Sequence, residues 1–153
     1  MKVSAHILLF VLISFCLISC GKSPDPTDML SDFVSEYSAE GIIYSPSVAE
    51  GEPGYLEPEI AGKIFAVPEE LPRSYAIFLN SRADFGSECG VFVCDSTQEV
   101  YRVLEMCERR MKLLRGGDRS LLIRSGNTVF YSTMSDRSRA EKLWREILRS
   151  HTR

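Results

Sequence analysis

The chain has 153 residues, of which 44% are hydrophobic and 25% are charged. This length suits one domain behind a targeting segment, and the composition excludes disorder over the whole chain. The net charge of −3 hides an asymmetry, because residues 21–99 carry −11 and residues 100–153 carry +7. Either the halves pair with each other or a basic face meets an anionic partner; we favour internal pairing with ordinary solvation.

Residues 1–19 have the pattern of a bacterial signal peptide. Met1 and Lys2 give a positive start, and residues 7–18 are apolar apart from Ser14. A stretch of this length suits a signal sequence, whereas a membrane-spanning helix needs about 20 residues. An ordinary cleaved signal or an N-terminal anchor helix is the alternative interpretation.

The end of this leader resembles the lipobox of bacterial lipoproteins, in which an aliphatic, a branched or small, and a small residue precede a cysteine. Here these are Leu17, Ile18, Ser19 and Cys20. The resemblance implies that Cys20 carries a diacylglyceryl group and becomes the mature N-terminus. Two acyl chains anchor a protein stably, whereas one holds it only marginally. We therefore expect a lipid-anchored protein on the extracytoplasmic face of a cell membrane.

Which membrane carries the protein stays open. Gly21 follows Cys20, so the aspartate that retains lipoproteins at an inner membrane is not present at this position. Residues 20–27 hold two prolines and no large apolar side chain, which predicts a short tether.

Residues 28–74 are predicted to form an N-terminal segment of helices and loops. Thr27 is placed to cap a helix over residues 28–38, on which the side chain of Phe33 belongs to the apolar face. Residues 41–54 hold three glycines and two prolines and are predicted to be a loop. A second short helix is expected over residues 58–65.

Residues 75–150 are predicted to form the core domain, with the order strand-strand-helix occurring twice. The first strands are residues 75–79 and 89–94; Asp95 with Gln98 then opens a helix that stops at Gly116-Gly117. The second pair is residues 120–124 and 128–134 around a Gly126-Asn127 turn, and Ser135 caps the last helix.

These elements predict an α+β fold, namely a two-layer sandwich of a four-stranded antiparallel sheet and helices. Counting outward from the turn pairs Ile123 with Phe130 and Leu121 with Ser132, on the face that should meet helices. The first hairpin is apolar on both faces, so we expect a second cover there from the helix around Phe33.

Residues from about 56 to 150 resemble an uncharacterised family of short bacterial lipoproteins. The motifs that carry the resemblance are YAIFL at residues 75–79, ECGVF at 88–92 and SGNTVF at 125–130. Cys89, Gly90 and Cys94 depart from the family's usual residues. The family implies no catalytic residue, and none is carried over.

Few residues in the body of the chain suggest catalysis. After the leader the only histidine is His151, which we expect to be a solvent-facing tail residue, so a histidine-dependent site is nearly excluded. Cys89 and Cys94 point to opposite faces of one strand, which argues against a shared metal, and Cys107 lies on the apolar stripe of its helix. Gly116-Gly117 ends a helix rather than opening one, so no phosphate loop is predicted. We predict no catalytic, cofactor-binding or metal-binding residue.

Three hypotheses for the function remain. The first is a non-enzymatic binding or scaffolding module of the cell envelope with a protein partner. The second is a small redox or thiol enzyme that uses Cys89 or Cys94. The third is an inhibitor or ligand carrier that uses an open sheet face. Nucleic acid is not an expected partner. The basic stretches around Arg109 and Arg145 are interpreted as solvated helix faces paired with neighbouring glutamates, with attraction to anionic lipid as the alternative.

Overall fold

The computed structural model describes residues 24–65, 71–80 and 87–151. Four helices, numbered α1 to α4, and five strands, numbered β1 to β5, make up the described part. Their order is α1 Pro26–Tyr37, β1 Gly41–Tyr44, α2 Pro58–Phe65, β2 Ser74–Asn80, β3 Glu88–Val93, α3 Thr97–Leu113, β4 Leu121–Ser125, β5 Thr128–Ser132 and α4 Arg137–His151. A 3-10 turn, Gly117–Arg119, links α3 to β4.

All neighbouring strands of the sheet are antiparallel, and their order is β1-β2-β3-β5-β4. The predicted hairpin register is confirmed: Ile123 pairs with Phe130, and Leu121 pairs with Ser132. Gly126 has a φ of 57°, a conformation that glycine adopts without the steric cost of a side chain. The α+β class is therefore confirmed together with the pairing inside the second hairpin.

The prediction of four strands is wrong, because β1 adds a fifth. Residues 41–44 were expected in a loop but pair with β2, so that Ile42 faces Leu79 and Tyr44 faces Ile77. Ile-Ile-Tyr is a good strand sequence by propensity. The strand pattern covers only a few residues and lies beside a stretch rich in glycine and proline. A four-residue edge strand also depends on its neighbour for its conformation.

The prediction of two layers is also wrong, since helices cover both faces of the sheet. On one face α1 and α4 enclose a core in which Phe130 stacks on Trp144 at 4.2 Å between ring centroids and contacts Phe33 at 5.0 Å. On the other face α2 and α3 pack over Phe92 and Tyr131. Trp144 is a core residue and is only 1% exposed.

The second hairpin, β4 with β5, explains why a second pair of helices forms a third layer on the other face of the sheet. Val129 and Tyr131 lie on the face opposite the one that we predicted to meet helices, yet both side chains are fully buried. The helix containing Phe33 joins α4 on the first face rather than covering the second. Burial of both faces requires the second pair of helices, because strands with two apolar faces are stable only when covered twice.

The helix caps are displaced from their predicted positions by one or two residues. The Asp25 side chain, rather than Thr27, accepts from the backbone at the start of α1. Ser96 caps α3 instead of Asp95, and its hydroxyl accepts from Glu99 N–H at 3.2 Å. At the start of α4 the Asp136 carboxylate, not Ser135, accepts from Arg139 N–H at 2.9 Å. Adjacent residues of equal capping propensity compete for these positions, so sequence alone leaves the boundary open.

Candidate functional site

The predicted lipidation site, Cys20, lies outside the described residues, as does the whole leader. Its lipidation stays a prediction. In the three described ranges, no helix combines the length and the apolar character needed to cross a bilayer.

The three cysteines of the body are free thiols, and all are buried. Cys89 belongs to the core under α1 and α4, whereas Cys94 and Cys107 belong to the core under α2 and α3. The prediction that Cys89 and Cys94 point to opposite faces of the sheet is therefore confirmed. Cys107 is a core residue, as its position on the apolar stripe of α3 predicts.

Burial controls the chemistry of these thiols. It raises the pKa of Cys89 and of Cys107 well above the usual value, because a thiolate loses its hydration inside the core. Burial, with Glu99 and Asp95 nearby, raises the pKa of Cys94 to about 11. Reactive cysteines have the opposite property, a lowered pKa and an exposed sulfur, so none of these thiols has the environment of a nucleophile.

We expect the thiols of the folded protein to alkylate slowly. At pH 8 a thiol with the pKa of Cys94, about 11, holds roughly 100-fold less thiolate than a thiol of pKa 9. The measurement is the rate of iodoacetamide labelling at pH 8, read by mass spectrometry for each cysteine. The same chain in 8 M urea is the control, and every body cysteine should label rapidly there. Fast labelling of Cys89 or Cys94 in the folded state would support a thiol enzyme instead.

A buried charged cluster connects β3, β5, α3 and the end of α2. We call it the Glu88 cluster; it consists of Glu88, Arg110, Tyr131 and Thr133. The two nitrogens Nε and Nη2 of Arg110 each donate to the Glu88 carboxylate at 2.7 Å. Tyr131 Oη donates to Glu88 Oε1 at 2.8 Å. Only 4% of the Glu88 side chain and 19% of the Arg110 side chain are exposed.

The backbone holds the Glu88 cluster in place. Thr133 Oγ1 accepts from Glu88 N–H at 3.1 Å, and Thr133 N–H donates to the Glu88 carbonyl at 2.9 Å. Gly90 pairs with Tyr131, and a Cβ at Gly90 would lie 2.6 Å from the Tyr131 ring, so only glycine allows this ring to lie across the strand. Arg110 Nη1 also donates to the carbonyl of Ile64, near the C-terminal end of α2, where a positive charge is favourable.

The Glu88 cluster has the properties of a structural connection rather than a reactive centre. Hydrogen bonds to Glu88 raise the pKa of Arg110, and burial beside the same carboxylate raises the pKa of Tyr131 well above its usual value. Both side chains therefore keep their protons at neutral pH. Sequence reasoning missed this cluster, because Glu88 and Arg110 are 22 positions apart and no local pattern joins them.

A groove runs between α1 and α4 on the outside of the domain. We call it the α1–α4 groove. Its volume is about 480 Å³, and it is lined by Asp32, Ser35, Glu36, Leu143, Glu146, Ile147 and Ser150. The carboxylates of Asp32, Glu36 and Glu146 surround an apolar floor of Leu143 and Ile147. This arrangement suits a cationic, partly apolar group rather than an anion.

The contacts across this groove show that its two helices are antiparallel. Near the end of α1, Arg139 Nη2 donates to the Glu36 carbonyl at 3.0 Å, and Asp136 N–H donates to Tyr37 Oη at 2.9 Å. Near the end of α4, His151 Nε2 lies 2.8 Å from Asp32 Oδ2. The prediction that His151 is a solvent-facing tail residue is wrong, since its side chain is only 22% exposed and contacts α1. The contact joins residues 119 positions apart, which no local pattern reveals.

The basic stretches of α3 and α4 are partly paired, as predicted. Arg109 lies 3.8 Å from Glu105, and Arg145 lies 2.8 Å from Glu141, both at the four-residue helical spacing. A second cavity of about 330 Å³ lies at the C-terminal end of α3, where Lys112 and Arg115 belong to its lining. Cations at this position compensate the negative end of the helix dipole, which explains them without a ligand.

Among the residues that the structure describes, no three histidine, cysteine or carboxylate side chains are grouped to hold a metal ion. The α1–α4 groove is the surface feature with the clearest chemical preference. Because its lining holds three carboxylates, that preference is for positive charge. No protein-family model, curated protein or solved structure matches the chain. The resemblance of residues 56–150 to a lipoprotein family stays a prediction.

Proposed function

We propose that the protein is a lipid-anchored, non-enzymatic binding module on the extracytoplasmic face of a cell membrane. The observation that carries the proposal is the apolar leader ending in Leu17, Ile18, Ser19 and Cys20. The first helix of the domain begins at Pro26, six positions after Cys20. A tether of this length keeps the N-terminal end of α1 close to the bilayer.

The side chains of the domain support binding rather than catalysis. The buried thiols have raised pKa values, and the Glu88 cluster uses its charged groups in contacts within the protein. The α1–α4 groove provides a polar, accessible surface with apolar contacts at its base. A groove of this size and charge suits a segment of a protein partner.

The carrier hypothesis required an open sheet face, and both faces of the described sheet are covered by helices. A thiol enzyme remains the alternative function, and it depends on Cys89 or Cys94 becoming accessible. Slow labelling of both thiols would exclude it.

Lipidation can be tested in bacterial cells that produce the full chain. We expect radiolabelled palmitate to enter the wild-type protein and to be absent from Cys20→Ala, which should also leave the membrane fraction or accumulate uncleaved. Cys16→Ala is the matched control, because it removes a cysteine of the same leader outside the lipobox, and it should label normally. Equal labelling and equal fractionation of wild type and Cys20→Ala would refute the lipid anchor.

A further inference from the structure

We propose that β4 pairs in antiparallel orientation with β4 of a second copy of this chain, so that the two five-stranded sheets join into one continuous sheet. The strand order β1-β2-β3-β5-β4 leaves β1 and β4 at the two edges. An edge strand carries a row of unpaired backbone N–H and C=O groups, which can pair with another strand. This pairing depends on the edge alone and requires no lipid anchor.

The chain itself covers the edge at β1. Ser45 N–H donates to the Gly54 carbonyl at 2.9 Å, and Ser45 forms an isolated bridge with Tyr55. A Cβ at Gly54 would lie 2.5 Å from the carbonyl oxygen of Ile43, so residues 54 and 55 run beside the outer side of β1. A further strand could pair there only after this loop had moved.

The edge at β4 is open in the part of the chain that the structure describes. β4 pairs with β5 without a bulge, and no described segment pairs with its outer side. Natural sheets often protect an edge with a proline, a bulge or a charged side chain. β4 has no proline, and its one charged residue, Arg124, places its guanidinium carbon 5.3 Å from the ring centroid of Tyr101. This charge is therefore held over the α3 face of the sheet, and the edge keeps its capacity to pair.

The turn of the second hairpin determines which backbone groups of β4 point outward. Ser125 and Thr128 flank the two-residue turn, so they exchange both of their hydrogen bonds, and alternate residues along β4 repeat this pattern. Ile123 therefore bonds to β5, whereas the N–H and C=O groups of Leu122 and Arg124 point outward. A second copy satisfies all of these groups when Leu122 faces Arg124 of the second copy and the twofold axis passes between the two Ile123 residues.

The neighbouring symmetric registers are less favourable. An axis at Arg124 sets the two guanidinium groups directly opposite each other, and like charges in this position are destabilising. An axis at Leu122 sets Arg124 against Ser120 of the second copy, whose N–H already donates to the Gly117 carbonyl. The register centred on Ile123 avoids both problems and adds an apolar contact on the axis, because the Ile123 side chain is half-buried in the monomer.

The side of α3 that lies next to this edge is known from two contacts. Tyr101 lies beside Arg124, and Glu108 lines the second cavity together with Ser120, just before β4. α3 therefore runs antiparallel to β4. The cations that line the same cavity follow Glu108 by four positions or more, which places them beyond the level of the paired strands.

The charges on this side of α3 match the register. Glu105 and Glu108 follow Tyr101 by about 6 Å and 10 Å along the helix, which equals about two and three residues of a strand. They therefore lie at the level of Leu122 and the residue before it, where Arg124 of the second copy arrives on the same face. Both glutamates are exposed, and the contact of Glu105 with Arg109 is 3.8 Å long. Each Arg124 thus meets two carboxylates of the other copy.

The symmetry also predicts how the dimer sits and how strong it is. The twofold axis is perpendicular to the sheet, so α1 and α4 of both copies lie on one face of the joined sheet, and both tethers leave from that face. Two lipids can then enter one bilayer. One strand pair with the adjoining sides of two helices is smaller than the roughly 800 Å² per partner of a standard stable interface. We therefore expect a weak dimer in solution, strengthened where a shared bilayer raises the effective concentration.

Cysteine cross-linking tests the register in bacterial cells that produce the full chain. Ile123→Cys should form a disulfide-linked dimer on mild oxidation with copper phenanthroline, because its Cα faces the same atom of the second copy at about 4.5–5.5 Å. Ser125→Cys is the matched control. It is more exposed, yet it faces Leu121 of the second copy, so its two sulfur-bearing residues lie roughly 14 Å apart. Equal cross-linking of the two variants, or none above the wild type, would overturn the dimer.

Charge reversal tests the contact between α3 and the second copy. In sedimentation of the purified full chain, Arg124→Glu alone and Glu105→Arg/Glu108→Arg alone should each associate at least about tenfold more weakly than the wild type, since both set like charges together. Mixing the two variants should restore the dimer, because opposite charges then meet at both contacts. Lys63→Glu on α2 makes the same change of net charge as Arg124→Glu and should associate like the wild type.

Amide hydrogen exchange tests the edge without a substitution. Exchange at Leu122 and Arg124 should slow as the concentration of the chain rises, whereas Ile123, which bonds to β5, should exchange slowly at every concentration. A chain that stays monomeric at every soluble concentration, or a segment of another protein that protects Leu122 and Arg124 of a monomer, would refute the dimer. None of these measurements needs palmitate, so failure of the lipid anchor is distinguishable from failure of the dimer.

Discussion

Replacing Arg110 by methionine should lower the free energy of unfolding by about 3–5 kcal/mol, since loss of one partner leaves the other charge buried and unpaired. The Glu88 carboxylate, of which 4% is exposed, would lose both of the hydrogen bonds that Arg110 donates to it. Methionine keeps much of the volume of the arginine stem, so the loss reflects the charge more than the packing. Urea unfolding at pH 7.5, followed by circular dichroism, measures the change.

Two further variants separate the charge from other effects. Arg109→Met is the matched control. Arg109 is adjacent to Arg110, but its side chain is 49% exposed and contacts Glu105 at 3.8 Å, so this substitution should cost less than about 0.5 kcal/mol. Glu88→Gln/Arg110→Met removes the orphaned charge while a carbonyl oxygen remains for Tyr131 Oη. It should therefore be more stable than Arg110→Met. An Arg110→Met protein as stable as Arg109→Met would contradict this account and would mean that water reaches the Glu88 carboxylate.

The parts of the fold that sequence reasoning predicted correctly are specified by local patterns. The Gly126-Asn127 turn fixes the register of β4 against β5, because a two-residue turn allows only one way of counting outward. The periodicity of α3 placed Cys107 in the core, and the alternation of β3 placed Cys89 and Cys94 on opposite faces. In each case the deciding information lies within about a dozen residues.

The features that sequence reasoning missed depend on contacts between distant segments. Strand β1 is held in the sheet by β2, more than 30 positions later, and its own four residues are too few to signal a strand among glycines and prolines. The third layer follows from the burial of Tyr131 under α2 and α3. Neither the hydrophobic periodicity of a helix nor a turn motif indicates which face of the sheet that helix covers.

The same limit applies to the candidate site. The charges of the α1–α4 groove are visible in the sequence, which places an excess of acid before residue 100 and of base after it. Their juxtaposition is not visible, because Asp32 and Glu36 meet α4 only through the packing of both helices on Phe130 and its neighbours. Internal pairing, which we favoured from the charge asymmetry, accounts for Glu88 with Arg110 but leaves Lys142 and Arg149 exposed on the outer surface.

Raising the pH from 8 to 10 should lower the free energy of unfolding by about 5 kcal/mol. About 4 kcal/mol of this comes from three thiols that ionise in the unfolded chain and stay protonated in the folded one, and the rest comes from Tyr75 and Tyr131, whose pKa burial also raises. Burial raises the folded-state pKa of Cys89, Cys94 and Cys107, that of Cys94 to about 11. A group whose folded pKa exceeds its unfolded value contributes its full stability below the unfolded pKa and loses it as the pH rises. The loss should therefore begin near pH 9, where the thiols of the unfolded chain ionise.

Urea unfolding at intervals between pH 7.5 and pH 10.5, with a phosphine reductant, measures this dependence. Cys107→Ala leaves a small cavity and lowers stability at every pH, but the difference between pH 8 and pH 10 should shrink by about one quarter, because one of the three ionising thiols is gone. The loss of stability between pH 8 and pH 10 is thus independent of the packing defect, which acts equally at both pH values. A stability that stays level from pH 8 to pH 10 would mean that the thiols ionise as easily in the folded protein as in the unfolded one. That result would return Cys89 and Cys94 to consideration as reactive groups, since a thiolate formed in the folded state requires water or a cation that the closed cores around them do not provide.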